Sequence, residues 1–329
     1  MARLPTLRQL RHLVALHETG HFGRAAQAAH VTQSTLSASI KELETLLGVP
    51  LVDRTSRWVA FTPLGTATVE RARRLLNEAE ELVQLAKSAA GPLAGPLRLG
   101  VIPTLGPFFL PAAIARLRRR FPRLRLYLRE ELTERLLTRL EGGALDVALI
   151  ALPYDTGGFE TMALFDDRFV LACRKDHRLA KAAVVRPREL AGEPLLLLEE
   201  GHCLRGHALS ACELPGRGGA AVLEATSLHT LVQMVEGGLG VTLLPEIAVR
   251  GGILRGTSLV TRPLGDPPEA RTIALAWRRG TQREREFRLL GEELIAAHAP
   301  AAKGAGVAGA AGRGNGPGGA RKRARTAAS

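Results

Sequence analysis

The chain has 329 residues, 46% of them hydrophobic and 23% charged, which is ordinary for globular protein and leaves room for two to three domains. Its 3 cysteines are too few for a disulfide framework, and the charged, proline-containing start from Met1 to Gln9 lacks the apolar core of a secretory signal, so a cytoplasmic protein is expected. No run approaches the roughly 18 apolar residues of a membrane span, while 45 Lys and Arg against 32 Asp and Glu leave a net charge of +13, which points to a polyanion as partner.

Residues 7 to 47 read as three short helices, with Leu10, Leu13, Val14, Leu16 and Phe22 followed by Ala25, Ala26, Ala28 and Ala29 at helical spacing. His30-Val31-Thr32 breaks the alanine run. Thr32 or Ser34 is placed to cap the next helix, whose buried stripe is Leu36, Ile40, Leu43 and Leu47 before Gly48 ends it. This is a helix-turn-helix. The alanines let the two helices cross closely, and Thr32, Gln33, Ser34, Thr35 and Ser37 gather short hydrogen-bonding side chains suited to base edges in the major groove. Arg54, Ser56 and Arg57 precede the alternating Val59-Ala60-Phe61-Thr62-Pro63, so the arginines are expected on a wing beside the phosphates, where they add affinity without sequence information.

From Pro63 to Ala90 the positions Val69, Ala72, Leu76, Ala79, Val83, Ala86 and Ala90 alternate steps of three and four, a heptad seam, and Leu75 and Leu82 widen it. The pattern predicts a long helix that pairs with a second copy of the chain. Gly91 to Pro96 reads as a hinge. Strands and helices then alternate: Leu97 to Ile102, a helix to Arg120, Leu124 to Leu128, a helix to Leu140 and Asp146 to Ala151, with further strands near Phe169 to Cys173, Leu195 to Leu198, Val222 to Ala225 and Gly240 to Leu244. Arg271 to Trp277 and a helix from Arg283 to His298 look like a return. The expectation is an α/β domain with a largely parallel sheet in two lobes. The domains are then 1–62, 63–90, 91–96 as hinge, 97–298, and a basic tail of 299–329 with almost nothing large and apolar, expected to be disordered.

The stretch His21 to Ser37, with Ile40, Leu43, Glu44, Leu47-Gly48 and Leu51-Val52-Asp53-Arg54, resembles the N-terminal region of LysR-type transcriptional regulators. Farther along, Gly201-His202-Cys203-Leu204-Arg205 with Cys212 nine residues after Cys203, together with Ile102-Pro103-Thr104 and Ala225-Thr226-Ser227-Leu228, resembles the peroxide-sensing branch of that family. The likeness runs from Leu7 to about His298. It implies a winged helix-turn-helix, a linker helix and a two-lobed α/β regulatory domain like that of periplasmic binding proteins. It also implies a homotetramer on double-stranded DNA, contact with RNA polymerase, no cofactor, no metal and no enzymatic activity, with oxidative-stress genes as targets.

The resemblance implies that Cys203 attacks peroxide and that Cys212 resolves the product. Attack needs a thiolate, which His202 or Arg205 favours if either faces the sulfur. Oxidation then yields a sulfenic acid that a second thiol captures as a disulfide. If Leu204 to Cys212 is helical, the two Cα atoms stand ~13 Å apart along the axis, whereas a disulfide needs them within about 7 Å. Closing the bond would therefore melt the helix and turn oxidation into a conformational switch.

The same resemblance implies a peroxide pocket around Cys203 made by Thr104, Thr133, Arg271, His202 and Arg205, although Thr133 equally suits the cap of the helix from Glu134 to Leu140. His202, Cys203, His207 and Cys212 match no common zinc spacing, and Cys173 at the end of an apolar run reads as a core thiol. Gly216 to Ala221 precedes a strand and reads as a loop, not a dinucleotide site. Two rival readings stand beside the sensor: a LysR-type regulator that binds a small organic inducer between the lobes, and a thiol peroxidase.

The tail carries Lys303, Arg313, Arg321, Lys322, Arg323 and Arg325 and no acidic residue, so 6 of the 13 net charges lie there. Flexible cations reach phosphates and read no bases. Removing residues 300–329 is expected to lower affinity for all DNA at low salt while leaving operator preference unchanged. Binding of both proteins to operator and scrambled duplexes should converge as salt rises.

Overall fold

The N-terminal helices are set by their caps. The computed structural model describes residues 4–53, 59–87, 92–212 and 223–299. Helix α1 (Leu7–Thr19) opens on a capping box between Thr6 and Gln9 and closes on Gly20 at φ 61°. In α2 (Phe22–Ala28) the cap is His21, whose Nδ1 accepts the amide hydrogens of Gly23 and Arg24. Thr32 caps α3 (Gln33–Leu47) by accepting from the Thr35 amide, and Gly48 at φ 73° ends it. Leu13, Leu16, Ala25, Ala26, Leu36, Ile40 and Leu43 close one apolar core between the three helices. The short strands β1 (Val52–Asp53) and β2 (Ala60–Phe61) pair antiparallel beside it. Arg54, Ser56 and Arg57 lie outside the described residues, as do positions 88–91, the Gly216 to Ala221 loop and the tail from residue 300.

Helix α4 (Pro63–Lys87) follows at once. Its expected seam divides. Val69 and Ala72 are buried and α4 packs on α1, so these two positions serve their own chain. Leu64, Leu75 and Leu82 are exposed and about three and two helical turns apart, so they share the free face. Toward the C-terminal domain, the Asn77 amide donates to the Gly143 carbonyl, and Arg98 donates to Asn77 at 3.1 Å and to Glu80 at 3.0 Å.

The regulatory half contains β3 (Gly95–Val101), α5 (Gly106–Arg120), β4 (Leu124–Glu130), α6 (Thr133–Glu141), β5 (Val147–Leu152) and the 16-residue β6 (Phe159–Arg174). It continues through β7 (Leu195–Leu198), α7 (Cys203–Ala211), β8 (Glu224–Ala225), α8 (Leu228–Glu236), β9 (Val241–Pro245), α9 (Glu246–Arg250), β10 (Leu259–Pro263), β11 (Ala270–Arg278) and α10 (Glu284–His298). The strand order is β4-β3-β5-β11-β6-β9-β7-β8, with β10 also on β6. Gly95 and Pro96, at the end of the expected hinge, already pair with Leu124 and Arg125.

The sheet is mixed, not largely parallel. Parallel pairs are confined to β3 with β4 and β5, and to β7 with β8 and β9. Strand β11 is antiparallel to β5 and β6, and β6 is antiparallel to β9 and β10. The strand expected near Phe169 to Cys173 is the second half of β6, and β10 had no counterpart in the sequence reading. Strand β6 runs from one core, with Leu99, Ile150, Trp277 and Phe287, into the other, with Leu171, Leu196, Val235 and Leu243, whereas the buried Ile273, Leu275 and Trp277 of β11 all join the first. These cores define lobe 1 and lobe 2. Among the described residues no helix is long and apolar enough to cross a membrane.

Gly65 sits within α4 where an alanine would ordinarily gain about 1 kcal/mol of helix propensity. A Cβ there would stand 2.0 Å from the Leu51 carbonyl oxygen, on backbone that cannot swing aside. Gly65→Ala is therefore expected to lower stability by about 1–3 kcal/mol, read as a fall in urea midpoint with unchanged slope.

Candidate functional site

Helix α7 begins at a forced turn. Gly201 takes φ 93°, which favours glycine, and His202 is extended, so Cys203 becomes the first helical residue. A Cβ on Gly201 would lie 3.2 Å from Leu132, which places the start of α7 against the start of α6. The Cys203 side chain is half-buried and packs on the core of lobe 1. The rest of the helix belongs to lobe 2 through Leu204, Ala208 and Ala211, and Cys212 is 1% exposed in that core. Burial pushes the Cys212 thiol up to about 12, so it holds its proton in the folded state. Cys173 is also buried in lobe 2, and burial raises its pKa too.

Three expected pocket residues are buried with unequal hydrogen bonding. Arg271 on β11 faces Asp167 on β6 in register, and both side chains are 0% exposed. Its Nε and Nη2 donate to one Asp167 carboxylate oxygen at 3.1 and 3.0 Å, and the other carboxylate oxygen accepts the Ile247 amide at 3.0 Å. Its Nη1 donates to the Thr104 hydroxyl at 2.8 Å. Thr104 thus spends an acceptor position on the guanidinium and keeps its proton to donate. Thr133 is buried with no partner for its hydroxyl. It is not the helix cap: Leu132 occupies that position, and Thr133 is the first residue of α6. An orphaned buried hydroxyl calls for an explanation, and a small polar ligand supplies one.

Of the two neighbours expected to favour the thiolate, burial disfavours the cationic form of one and the other is bonded elsewhere. Burial holds the His202 imidazole below its ordinary pKa, against the weaker opposing pull of Glu199, which favours the neutral ring. Arg205 donates from Nη1 to the Leu198 carbonyl at 3.1 Å and to Glu224 at 2.7 Å, anchoring α7 to β7 and β8. Cys203 itself sits at the first position of α7, where the cap supplies no side-chain bond to the free amides. Tyr154 follows β5: burial first, then Glu134, Cys203 and Asp155, raise its hydroxyl pKa.

Sequence reasoning missed Asp167. A signal existed, since Phe165, Asp167, Phe169 and Leu171 alternate on one side of β6 and a carboxylate on an apolar face demands a cation. Among the described residues no three His, Cys, Asp or Glu side chains gather as a metal site. At the other end of the molecule, Thr32, Gln33, Ser34 and Thr35 are exposed at the start of α3 and Ser37 is half-buried. The Thr32 hydroxyl bonds those of Ser34 and Thr35 at 2.9 and 2.8 Å, which ties the three together.

Comparison with known proteins agrees at both ends of the chain. Residues 7–66 match the bacterial regulatory helix-turn-helix protein model of the lysR family, and residues 90–299 match the LysR substrate binding domain. The chain belongs to the LysR family. It is 45% identical over 289 residues to the HTH-type transcriptional regulator EstR of Acinetobacter baylyi, covering 87% of this chain and 95% of that one. Identity is 42% over 290 residues, 88% of this chain and 95% of the other, to the DNA-binding transcriptional dual regulator OxyR of Escherichia coli. A full-length OxyR variant from Pseudomonas aeruginosa superposes with a TM-score of 0.76 at 37% identity, covering 89% of this chain and 98% of that structure. This LysR-family chain is accordingly a DNA-binding regulator and not an enzyme.

The burial difference orders the thiols. With a pKa of about 12, Cys212 offers on the order of one thiolate in ten thousand at pH 8. Brief iodoacetamide treatment of reduced native protein should label Cys203 first, with Cys212 and Cys173 modified only once urea unfolds the chain; peptide mass mapping reads the order. Because folding raises the Cys212 pKa above its unfolded value, the stability this thiol contributes is present below about pH 9 and is lost as pH rises toward 12.

Proposed function

We propose that this regulator senses hydrogen peroxide through Cys203 and Cys212 and alters transcription of oxidative-stress genes in response. The observation that carries the reading is the placement of two thiols at opposite ends of one short helix, in different cores. The relatives named OxyR or hydrogen peroxide-inducible genes activator lend support, since they align along nearly the whole chain. The Cys203 thiolate attacks one peroxide oxygen and the other leaves as hydroxide, to be protonated to water; Cys203 becomes a sulfenic acid. The Cys212 sulfur then displaces that oxygen as a second water, and the disulfide forms.

Thr104, Thr133 and Arg271 are suited to hold the peroxide. Thr133 offers an unused hydroxyl, Thr104 offers a proton, and the Arg271 guanidinium stabilises the departing oxygen through Thr104. His202 contributes a neutral ring and Arg205 an anchor for α7. The exposed Leu64, Leu75 and Leu82 of α4 suit pairing with a second copy, and a tetramer on double-stranded DNA in contact with RNA polymerase follows the family pattern. Gln33, Ser34 and their neighbours then read bases. An inducer held between the lobes is less favoured, because Cys203 crosses from one lobe into the core of the other at that position.

Cys203→Ser is expected to abolish the transcriptional response to peroxide with DNA binding retained, while Cys212→Ser still forms sulfenic acid and fails to close the disulfide. Thiol mapping after a peroxide pulse, alongside promoter output, checks both. A normal response in Cys203→Ser would falsify the mechanism.

A further inference from the structure

His207 lies one turn beyond Cys203 on α7, so the two side chains stand on the same side of the helix. Helix α7 is held in lobe 2 by Leu204, Ala208 and Ala211. The His207 ring instead reaches the other lobe: its Nε2 is 2.8 Å from the carbonyl oxygen of Pro153, just after β5. A carbonyl only accepts, so Nε2 carries the proton and donates. Nδ1 is buried with no partner. Burial, and secondarily the Arg271 guanidinium, hold the imidazole below its ordinary pKa against the Pro153 bond, in keeping with a neutral ring. The bond therefore ties the helix carrying the reactive thiol to the segment that follows β5.

We propose that His207 is a positioning residue that clasps α7 to lobe 1, and that this clasp sets how readily Cys203 and Cys212 close into a disulfide. The inference rests on the peroxide-sensing reading above. His207 falls between the two cysteines, four residues after one and five before the other. Bringing the sulfurs together requires unwinding the helix between them, and that unwinding withdraws the ring from Pro153. The clasp stabilises the open dithiol and opposes closure. It takes no part in the first chemical step, in which peroxide oxidises Cys203 to the sulfenic acid and water is released. It acts on the second, in which the Cys212 sulfur bonds to Cys203 and the sulfenic oxygen departs as water.

The test uses the full chain. A hydrogen peroxide pulse is followed by acid quench and mass counting of the sulfenic and disulfide forms, and the thiol–disulfide equilibrium is measured in dithiothreitol buffers. His207→Leu removes the donor and should speed closure and shift the equilibrium toward disulfide, each about 3- to 10-fold, the range a single hydrogen bond supports. His207→Gln places an amide N–H where Nε2 stood and should restore wild-type closure. His207→Ala carries the same test if the leucine variant does not fold. Closure and equilibrium unchanged in the donor-free variants overturn the clasp, and so does a glutamine variant that behaves like leucine. Wild-type protein that forms no Cys203–Cys212 disulfide overturns the sensing reading instead, which keeps the two failures distinct.

Discussion

Two thiols bracket one nine-residue helix, Cys203 as its first residue and Cys212 as its C-cap, and are packed into two different cores; the regulatory half is organised around that constraint. A helix this short is not stable alone in water, so its persistence depends on the apolar side chains it buries. Leu204 alone is worth roughly 1.5–3 kcal/mol when fully covered. Melting α7, as the proposed disulfide requires, sacrifices that burial. The proposed disulfide therefore acts on a segment held by tertiary packing and not by its own helix propensity. Segments of low local stability are where such switches are found.

The polar counterpart is the pair formed by Arg271 on β11 and Asp167 on β6, the strand that runs through both lobes. Two fully buried charges are tolerated only when paired and hydrogen-bonded, and removing one partner leaves the other stranded at several kcal/mol. Here the carboxylate satisfies the Ile247 amide as well as the guanidinium, and the guanidinium reaches Thr104. The ion pair therefore holds a buried hydroxyl in a set direction. Thr133, with its hydroxyl unpaired, shows that the polar capacity of this region is not fully used by the protein itself.

At the DNA-binding end the physics is simpler. Caps and close-packed alanines join α2 and α3 in one core, and the hydroxyl bonds between Thr32, Ser34 and Thr35 limit the rotamers of those three side chains. Helix α4 divides its apolar residues between its own domain and a free face, and Asn77, Glu80 and Arg98 couple it to lobe 1. A change in lobe geometry thereby has a path of direct contacts to the helix that follows the DNA-binding core.

Much of this was legible in the residues alone. The three N-terminal helices, the long α4, most strands and the helical span between Cys203 and Cys212 follow from apolar spacing, glycines and caps, which act over a few residues and are written locally in the chain. The family resemblance singled out Thr104, Thr133 and Arg271, all of which the fold buries. What the sequence could not decide was set by groups far apart along it. Whether His202 and Arg205 serve the sulfur depended on burial and on a carboxylate at Glu224; the ion pair needed Asp167 and Arg271 brought opposite each other; the split of the α4 stripe needed α1 against it. Local sequence determines periodicity and caps because those interactions are short in chain distance. Charge state, hydrogen-bond partner and the core a side chain joins are decided by tertiary contacts, because desolvation and pairing depend on whatever the folded chain brings alongside.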